Sequence, residues 1–291
     1  MVEDKSLGSR IFNYTNMFLL IIIALVTVLP FIHVIASSFT TSAELAEKQF
    51  VLFPTEWSLA AYKYIFSTDT IFRSLLISIG VTAGGTVWSM FLSILTAYGL
   101  SRKDLVGKRF IMFFVVFTML FNGGMIPTFL IVKHTGLLDS LLALIIPVSI
   151  NVFNMIILKS FFQALPDSLE DAAKIDGCND FGILFRIIIP CSMPAIATIS
   201  LFYAVTYWNT YMHAILYLNN SALWPVQVLL RQIVVLATGL NYDGSEFTDV
   251  PPPELTVKMA VIVVATLPVL LVYPFLQKHF TKGALLGSIK E

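Results

Sequence analysis

This chain of 291 residues has little charge. Asp, Glu, Lys and Arg make up 12% of it, about half their share in an average soluble domain. Hydrophobic residues make up 57%, and the mean hydropathy is +0.84, which is more apolar surface than a water-soluble fold buries. The 18 basic and 18 acidic residues cancel, so the chain lacks the basic surplus that neutralises phosphates. Composition therefore excludes a nucleic-acid binder and favours a membrane protein.

The sequence also lacks the patterns of several catalytic and redox classes. Its two cysteines, Cys178 and Cys191, are too few for a disulfide framework, and its four histidines show no metal-ligand spacing. No G-x-x-x-x-G-K-[ST] sequence occurs, so this chain is not expected to hydrolyse ATP by itself. The acidic residues cluster in loops, without the paired intramembrane carboxylates of a protease or proton-coupled carrier. We expect no catalytic residue, no metal and no bound cofactor in this chain.

Six long apolar stretches are present instead. A membrane-spanning helix needs about 20 apolar residues, because hydrocarbon offers the backbone no hydrogen-bond partners. Stretches of this kind occupy residues 11–37, 72–100, 110–132, 141–162, 195–218 and 257–280. The first exceeds the apolar region of about 7–15 residues in a signal peptide and lacks a clear cleavage site, so we expect an uncleaved span. The prediction is an all-α protein with one transmembrane domain over residues 1–291.

Lys and Arg residues set the expected orientation, because they favour the cytoplasmic side. With the N-terminus inside, about twice as many of them lie in the cytoplasm as outside. The densest cluster, SRKDLVGKR at 101–109, falls in a short loop, where the rule is most reliable. Both termini and the loop after the fourth span are therefore predicted to be cytoplasmic.

That loop contains the main polar interruption, PDSLEDAAKIDGCND at residues 166–180, which we call the polar segment. Its five carboxylates and one lysine must face water or a partner. Asp167 and Glu170 match a capping box, in which each residue satisfies an N–H group of the first helical turn. Acidic side chains there also suit the positive end of the helix dipole. These features predict a helix that starts near Ser168.

The rest of the polar segment predicts where this helix ends and what it presents. Ala172 and Ala173 favour helix and have little side-chain bulk. Gly177 is suited to a left-handed C-cap, and Asn179 can cap the helix that follows. We predict a short capped helix over about 168–178, with a flat surface that fits a groove of another protein.

Amides and aromatic rings inside the apolar stretches form a second set of candidates. An amide in hydrocarbon costs roughly one to several kcal/mol unless it is hydrogen-bonded. Aromatic faces stack on sugar rings, and amides bond sugar hydroxyls. The candidate substrate-path residues are Asn122, Asn151, Asn154, Tyr203, Tyr207, Trp208, Asn209 and Tyr211. Interhelical hydrogen bonding with aromatic packing explains the same residues equally well, and both interpretations stay open.

Two local patterns predict how the spans are built. Asn122 lies in FNGGMIP, where two glycines and Pro127 predict a broken helix facing protein or a watery cavity. In the second span Gly80 and Gly84 form a small-residue pair, next to a stripe of Ser78, Thr82 and Thr86. Ordinary packing between helices is the favoured interpretation of that stripe.

Residues 40–70 form a long segment on the predicted external side. It contains FPTEW and AAYKYIF, a mixture of polar and aromatic residues. Such a segment can lie at the membrane surface or contact an external partner.

The polar segment shows a specific resemblance to a known signature. Asp171-Ala172-Ala173, three residues, Gly177, nine residues and Ile187-Ile188-Ile189-Pro190 resemble the EAA motif, E-A-A-x3-G-x9-I-x-L-P, of permease subunits in bacterial ABC importers. Asp171 stands for Glu and Ile189 for Leu. LEDAAKIDG, YWNTY and FTKGALLGSIK resemble the second permease of maltose-type systems. GGMIPTFLIVKHTGLLDSLLALIIP is similar to the subgroup for complex oligosaccharides, and the resemblance extends over nearly the whole chain.

This resemblance implies a type I ABC importer permease fold in the bacterial cytoplasmic membrane. It implies coupling to an ATPase through Glu170, Asp171, Ala172, Ala173, Ile175, Asp176 and Gly177. The implied partners are a second permease subunit, two ATP-binding subunits that carry ATP and Mg²⁺, an extracytoplasmic solute-binding protein, an oligosaccharide substrate and the lipid bilayer. An ion-coupled secondary carrier and a non-transport membrane assembly protein are the alternatives.

Overall fold

The computed structural model describes residues 6–48, 50–67, 69–237 and 255–287, and these ranges are almost entirely helices and short connections. Within them, strand-like pairing is limited to one bridge between Thr40 and Trp57. The chain divides into two compact units: Met1–Asp69 with Leu230–Thr266, and Thr70–Leu229 with Leu267–Glu291. A single transmembrane domain over the whole chain stays a prediction.

The first unit begins with a long apolar helix, followed by two short ones. These are α1 (Leu7–Ser38), α2 (Ser42–Glu47) and α3 (Ala60–Ser67). Most α1 side chains are exposed and apolar, as expected for a helix that faces lipid. A small core joins Ala36, Leu45 and Val51 to Met259.

The second unit is built from many shorter helices around one long helix. Its first helices are α4 (Asp69–Ser101), α5 (Lys108–Leu120), α6 (Met125–His134), α7 (Leu142–Ile145), α8 (Val152–Gln163) and α9 (Asp167–Ile175). The next are α10 (Asp180–Ile183), α11 (Ile189–Cys191), α12 (Met193–Trp208) and α13 (Met212–Tyr217). Two further helices, α14 (Val226–Ala237) and α15 (Leu255–Gly287), extend across the boundary between the two units.

The break predicted in the span 110–132 is confirmed by a bend of 112° between α5 and α6. The spans predicted at 141–162 and 195–218 are not continuous, which corrects that expectation: Leu142–Val148 and α8 meet at a bend of 56°, and α12 ends at Trp208 before α13 begins at Met212. A further bend of 85° between Asp180–Cys191 and α12 precedes residue 195. In the described ranges, two helices, α1 and α4, are long and apolar enough to cross a membrane, or up to five spans if each bent pair counts as one. A shorter apolar helix covers Leu255–Leu271.

Local chemistry explains each break. Gly124 has φ of +88°, a conformation that favours glycine, at the predicted FNGGMIP break. Asn151 ends the turn before α8 and caps that helix, because its Oδ1 accepts the N–H of Asn154 at 3.1 Å. Pro190 has no N–H to donate, and a π-helical stretch, Leu184–Ile188, precedes it. The N-terminus and C-terminus, predicted to be cytoplasmic, fall at residues 1–5 and 288–291, which lie outside the described residues.

The core of the second unit is large and contains four buried tyrosines, Tyr98, Tyr203, Tyr207 and Tyr217. Its most deeply buried side chains include Leu144, Met155, Leu158, Ile183, Leu184, Ile188, Ile199, Tyr203, Tyr207 and Tyr217. In a bilayer, lipid tails are as apolar as these side chains, so close packing and hydrogen bonds hold helices together rather than the exclusion of water. The positions of the tyrosine hydroxyls therefore matter for this fold.

Candidate functional site

The polar segment forms helix α9, close to the predicted 168–178. Its N-cap is Pro166 rather than Asp167, so the predicted capping box is wrong. The two carboxylates turn to the loop after α4 instead: Asp167 pairs with Lys103, and Glu170 pairs with Arg102. They still lie in the first turn of α9, where negative charge is favourable.

The C-terminal end of α9 has the predicted glycine cap. Gly177 has φ of +81°, and the N–H of Cys178 donates to the carbonyl of Ala173 at 2.9 Å. This is the hydrogen bond of a Schellman motif, which satisfies carbonyls that the helix leaves free. Asn179 then caps α10, because its Oδ1 accepts the N–H of Gly182 at 2.8 Å. The C-terminal end of the polar segment is thus fixed by local hydrogen bonds.

Helix α9 has one outward face. Asp171, Ala172, Ile175 and Asp176 are exposed, and Ile175 is 86% exposed. Ala173 points inward and is 5% exposed, so the two alanines do not share one flat surface as predicted. Ile175 is the most exposed large apolar side chain of α9.

Two ion pairs connect this segment to the loop after α4, and they differ in exposure. The side chains of Arg102 and Glu170 are 12% and 24% exposed, and those of Lys103 and Asp167 are 79% and 67% exposed. The hydrogen bond to Asp167 raises the pKa of the Lys103 ammonium above its usual value. Arg102 therefore holds a sheltered contact, and Lys103 holds one that water and salt screen.

Tyr203 and Tyr207 of α12 pack against α4 along what we call the serine–tyrosine seam, formed with Ser89 and Ser93. Both tyrosines are 2% exposed. The hydroxyl of Tyr203 bonds Ser93, and that of Tyr207 bonds Ser89, each at 2.7 Å. Gly85 permits this approach, because a Cβ there would lie 2.8 Å from the Tyr207 ring. In this conformation the two phenols are engaged within the chain.

The same seam reaches α8 through its cap. The hydroxyl of Tyr203 accepts the backbone N–H of Asn151 at 2.9 Å. Asn154, one turn further, is buried. The structure therefore brings Asn151, Asn154 and Tyr203 together, as the substrate-path hypothesis expects, and it gives Asn151 and Tyr203 mutual partners, as the packing hypothesis expects.

An apolar cavity of about 1030 Å³ lies between α4, α12 and the Pro268–Val269 part of α15. Trp208 of the substrate-path set lines it, together with Thr206. From α4 come Thr82 and Thr86, whose buried hydroxyl oxygens have no hydrogen-bond partner within the described residues. Buried hydroxyls cost free energy when left unbonded, so these two threonines are candidates for contact with a molecule from outside the chain. The packing interpretation of the stripe holds for Ser78, which accepts the N–H of Val226 at 2.8 Å.

The remaining substrate-path candidates lie apart from the seam. Asn122 accepts the N–H of Gly124 at 2.9 Å at the break before α6. Asn209 caps the end of α12 and donates through Nδ2 to the carbonyl of Val205 at 2.9 Å. Tyr211 is half-buried just before α13. Contact of these residues with a substrate stays a prediction.

In the first unit, the segment at 40–70 is organised by one buried carboxylate. Glu44 accepts hydrogen bonds from the Thr40 hydroxyl at 2.5 Å, the Thr55 N–H at 3.0 Å and the Glu56 N–H at 3.1 Å. Lys48 pairs with it at 3.0 Å. The hydroxyls of Thr40 and Thr55, with these N–H groups, hold the pKa of Glu44 far below its usual value. The hydrogen bonds to Glu44 therefore give this segment a defined conformation, and we call it the Glu44 lobe.

Three residues that organise these regions have weak sequence signals. Arg102 is one of four basic residues at 101–109, where charge indicates only orientation. Gly85 follows Gly84, and the sequence does not say which glycine a ring approaches. Glu44 lies in a polar loop, where a solvated carboxylate is the ordinary expectation.

Comparison with known proteins identifies the family. Residues 89–285 match the family described as "Binding-protein-dependent transport system inner membrane component". The chain is 67% identical to the polygalacturonan/rhamnogalacturonan transport system permease protein YtcP of Bacillus subtilis (strain 168), over 97% of this chain and 99% of that protein. It is 50% identical to Protein LplC of the same organism, over 97% of this chain and 96% of that protein.

A solved structure shows the same fold. It is the crystal structure of a bacterial ABC transporter involved in the import of the acidic polysaccharide alginate. One of its chains matches with a TM-score of 0.88 and 35% identity, over 96% of this chain and 100% of that chain. The resemblance seen in the polar segment is confirmed. The chain belongs to the family of inner membrane components of binding-protein-dependent transport systems, and it is a permease subunit of an ABC importer.

Proposed function

We propose that this chain forms half of the translocation path of an ATP-driven importer that carries an oligosaccharide across the bacterial cytoplasmic membrane. The observation that carries the proposal is the 67% identity to YtcP over nearly the full length of both chains. The similarity to a chain of the alginate importer supports the same substrate class. Both names refer to acidic polysaccharides, so fragments that contain uronic acids are the first substrates to test.

The proposed topology has six spans with both termini in the cytoplasm. The spans are α1, α4, the α5–α6 pair, the helices from 142 to 163, those from 180 to 208, and α15. The basic cluster at 101–109 supports this orientation. In it, the polar segment faces the cytoplasm, and the Glu44 lobe faces outward, where a solute-binding protein docks.

The proposed energy source lies on other chains. Two ATP-binding subunits hold ATP and Mg²⁺, and α9 of this chain docks in a groove on one of them. The exposed Ile175 with Asp171, Ala172 and Asp176 supports this docking. A second permease subunit completes the path and docks on the other ATP-binding subunit.

The proposed mechanism is a two-state alternation. Closure of the ATP-binding subunits moves α9 and biases the spans between inward-facing and outward-facing states. The bent helices support a translocation path in this part of the chain. Irregular backbone inside a membrane is tolerated where it faces protein or a water-filled cavity. Within the path, Trp208, Thr82 and Thr86 line the cavity, and Asn151 and Asn154 lie at the cap of α8.

Uptake into proteoliposomes tests the proposal. The chain is reconstituted with a second permease, ATP-binding subunits and a solute-binding protein from the same organism. We expect oligogalacturonides to enter only when ATP, Mg²⁺ and the binding protein are present, with neutral malto-oligosaccharides as the comparison. Uptake driven by an ion gradient without the ATP-binding subunits would instead establish a secondary carrier. Absence of uptake under every condition would favour an assembly protein.

A further inference from the structure

The sheltered ion pair between the loop after α4 and helix α9 has a role beyond holding the fold. We infer that Arg102 is a positioning residue that fastens α9 to the end of α4, so that movement of the polar segment is passed to α4 as well as to α12. The inference rests on the proposed function, since it needs an ATPase that moves α9.

Arg102 contacts the polar segment at two points. One Nη pairs with the carboxylate of Glu170 on α9, and the other lies 3.5 Å from Oδ1 of Asp180 at the start of α10. The guanidinium also lies over the ring of Tyr98, 4.9 Å from its centroid. Tyr98 in turn donates its hydroxyl to the carbonyl of Asp180 at 3.2 Å. A planar fork suits such a bridge, because arginine can bond two carboxylates while it stacks on a ring.

The backbone that carries Arg102 is itself fixed. Lys108 donates to the carbonyls of Ser101 and Arg102, at 3.3 and 2.8 Å. Gln163, at the end of α8, donates to the Ser101 carbonyl at 3.3 Å. These donors satisfy carbonyls that the last turn of α4 leaves free, and the positive charge suits that helix end. The backbone at Arg102 is therefore held in place by hydrogen bonds from two side chains.

The contact uses a face of α9 that docking leaves free. Glu170 is half-buried, and Ala173, three residues on, is buried on the same side. Asp171, Ala172 and Ile175 point away from that side. One helix can thus be held by Arg102 and bind an ATPase at the same time.

Helix α4 connects Arg102 to the middle of the permease. Its serines bond Tyr203 and Tyr207 of α12 in the serine–tyrosine seam. The polar segment reaches α12 along the chain through α10 and α11, and it reaches α4 through Arg102. Both helices line the cavity that contains Trp208. Movement of α9 therefore acts on two helices that line the same cavity, α4 and α12, provided that the Arg102 contact is intact.

The neighbouring ion pair supplies a matched control. Lys103 and Asp167 join the same loop to the same helix, but both side chains are mostly exposed. Exposed pairs in high dielectric contribute little. Loss of the Lys103 charge should change coupling much less than loss of the Arg102 charge.

The test compares Arg102→Gln, Glu170→Gln, the double variant and Lys103→Gln in reconstituted full complexes. The readout is oligogalacturonide imported per ATP hydrolysed, beside the yield of assembled complex. We expect Arg102→Gln to lower this ratio about tenfold, as expected for the loss of a charge-assisted hydrogen bond, with assembly retained. The double variant should be no worse than the stronger single variant, because the two residues act through one contact. Lys103→Gln should stay within about twofold of wild type.

A wild-type ratio in Arg102→Gln would overturn the inference, as would additive losses in the double variant. A purely structural role would lower the yield of complex and leave the ratio unchanged. If Arg102→Gln does not assemble, Arg102→Lys decides: a point charge cannot hold both carboxylates, so its ratio should also fall, and a normal ratio would overturn the inference. Absence of ATP-dependent uptake in the wild-type complex would contradict the proposed function itself.

Discussion

The serine–tyrosine seam and the polar segment both join α4 to other helices, but they complete their interactions differently. In the seam, Tyr203 and Tyr207 are 2% exposed and their hydroxyls bond serines of α4. In the polar segment, Arg102 holds the inner side of α9, and Ile175 on the outer side is 86% exposed. The tyrosine hydroxyls of the seam have hydrogen-bond partners within the chain. In the polar segment, the inner side of α9 is in contact with the rest of the chain and the outer side is exposed. This difference underlies the proposal that α9 docks on another subunit.

The two regions also use different chemistry, for a physical reason. Neutral hydroxyl pairs can be buried at modest cost once they are bonded. Ionised side chains carry a large desolvation cost and occur where water remains near. The seam therefore uses serine and tyrosine, whereas the contact between the loop after α4 and the polar segment uses Arg102, Glu170 and Asp180.

A charge on the exposed face of α9 should have the largest effect. Ile175→Asp should leave this subunit folded, because the side chain touches little within it. It should weaken association with the ATP-binding subunit by about 2 kcal/mol, roughly 30-fold, as for a buried apolar anchor of an interface. Co-purification and binding titration measure this, with Ile175→Leu as the control. Equal binding by both variants would remove Ile175 from the docking surface.

A second variant breaks the seam and spares the polar segment. Gly85→Ala puts a methyl group against the buried Tyr207 ring and should cost about 1–3 kcal/mol through overpacking. Gly84→Ala is the matched control, because a Cβ there has nothing within 4 Å, and alanine favours helix. Thermal unfolding of the purified complex in detergent measures both. Equal stability of the two variants would mean that the seam tolerates a wider helix separation.

A third pair of variants measures how much each tyrosine hydroxyl of the seam contributes to stability. Tyr203→Phe removes a hydroxyl that bonds Ser93 and also accepts the N–H of Asn151. Tyr207→Phe removes one that bonds Ser89 and lies 3.3 Å from the carbonyl of Ile145. Each change should cost about 0.5–1.5 kcal/mol. Tyr203→Phe should cost more, because it leaves a backbone N–H unbonded.

Uptake measurements on the same two variants separate packing from substrate contact. If the phenols only pack, import per assembled complex should stay normal in both variants. A selective loss of import with unchanged unfolding temperature would place Tyr203 or Tyr207 on the substrate path.

The sequence predicts the all-helical class of this fold well, because the length of an apolar run is a property of a single segment. The glycine cap at Gly177 and the break at Gly124 are likewise local, and both are confirmed. The sequence does not predict that the spans at 141–162 and 195–218 are broken. In both spans the apolar run is continuous in sequence, but an asparagine, Asn151 or Asn209, caps the end of a helix within it.

Contacts between distant residues are harder to predict from sequence. The capping box fails because Asp167 and Glu170 find Lys103 and Arg102, more than 60 positions earlier in the chain. The small side chains of Ala172 and Ala173 predict a flat surface, but only tertiary packing decides that Ala173 faces inward. The position of this capped helix is thus predictable from sequence, and its inner and outer faces are not.

Disulfide crosslinking of α9 to the ATP-binding subunit tests the proposed docking most directly. Cysteine is introduced as Ala172→Cys or Ala173→Cys, after Cys178 and Cys191 have been replaced by serine. In complexes whose ATPase carries a single cysteine in its groove, Ala172→Cys should crosslink and Ala173→Cys should not, because only Ala172 is exposed. Crosslinking should also change when ATP binds. Equal crosslinking at both positions, or none at Ala172 for every groove position, would contradict the docking of this face of α9.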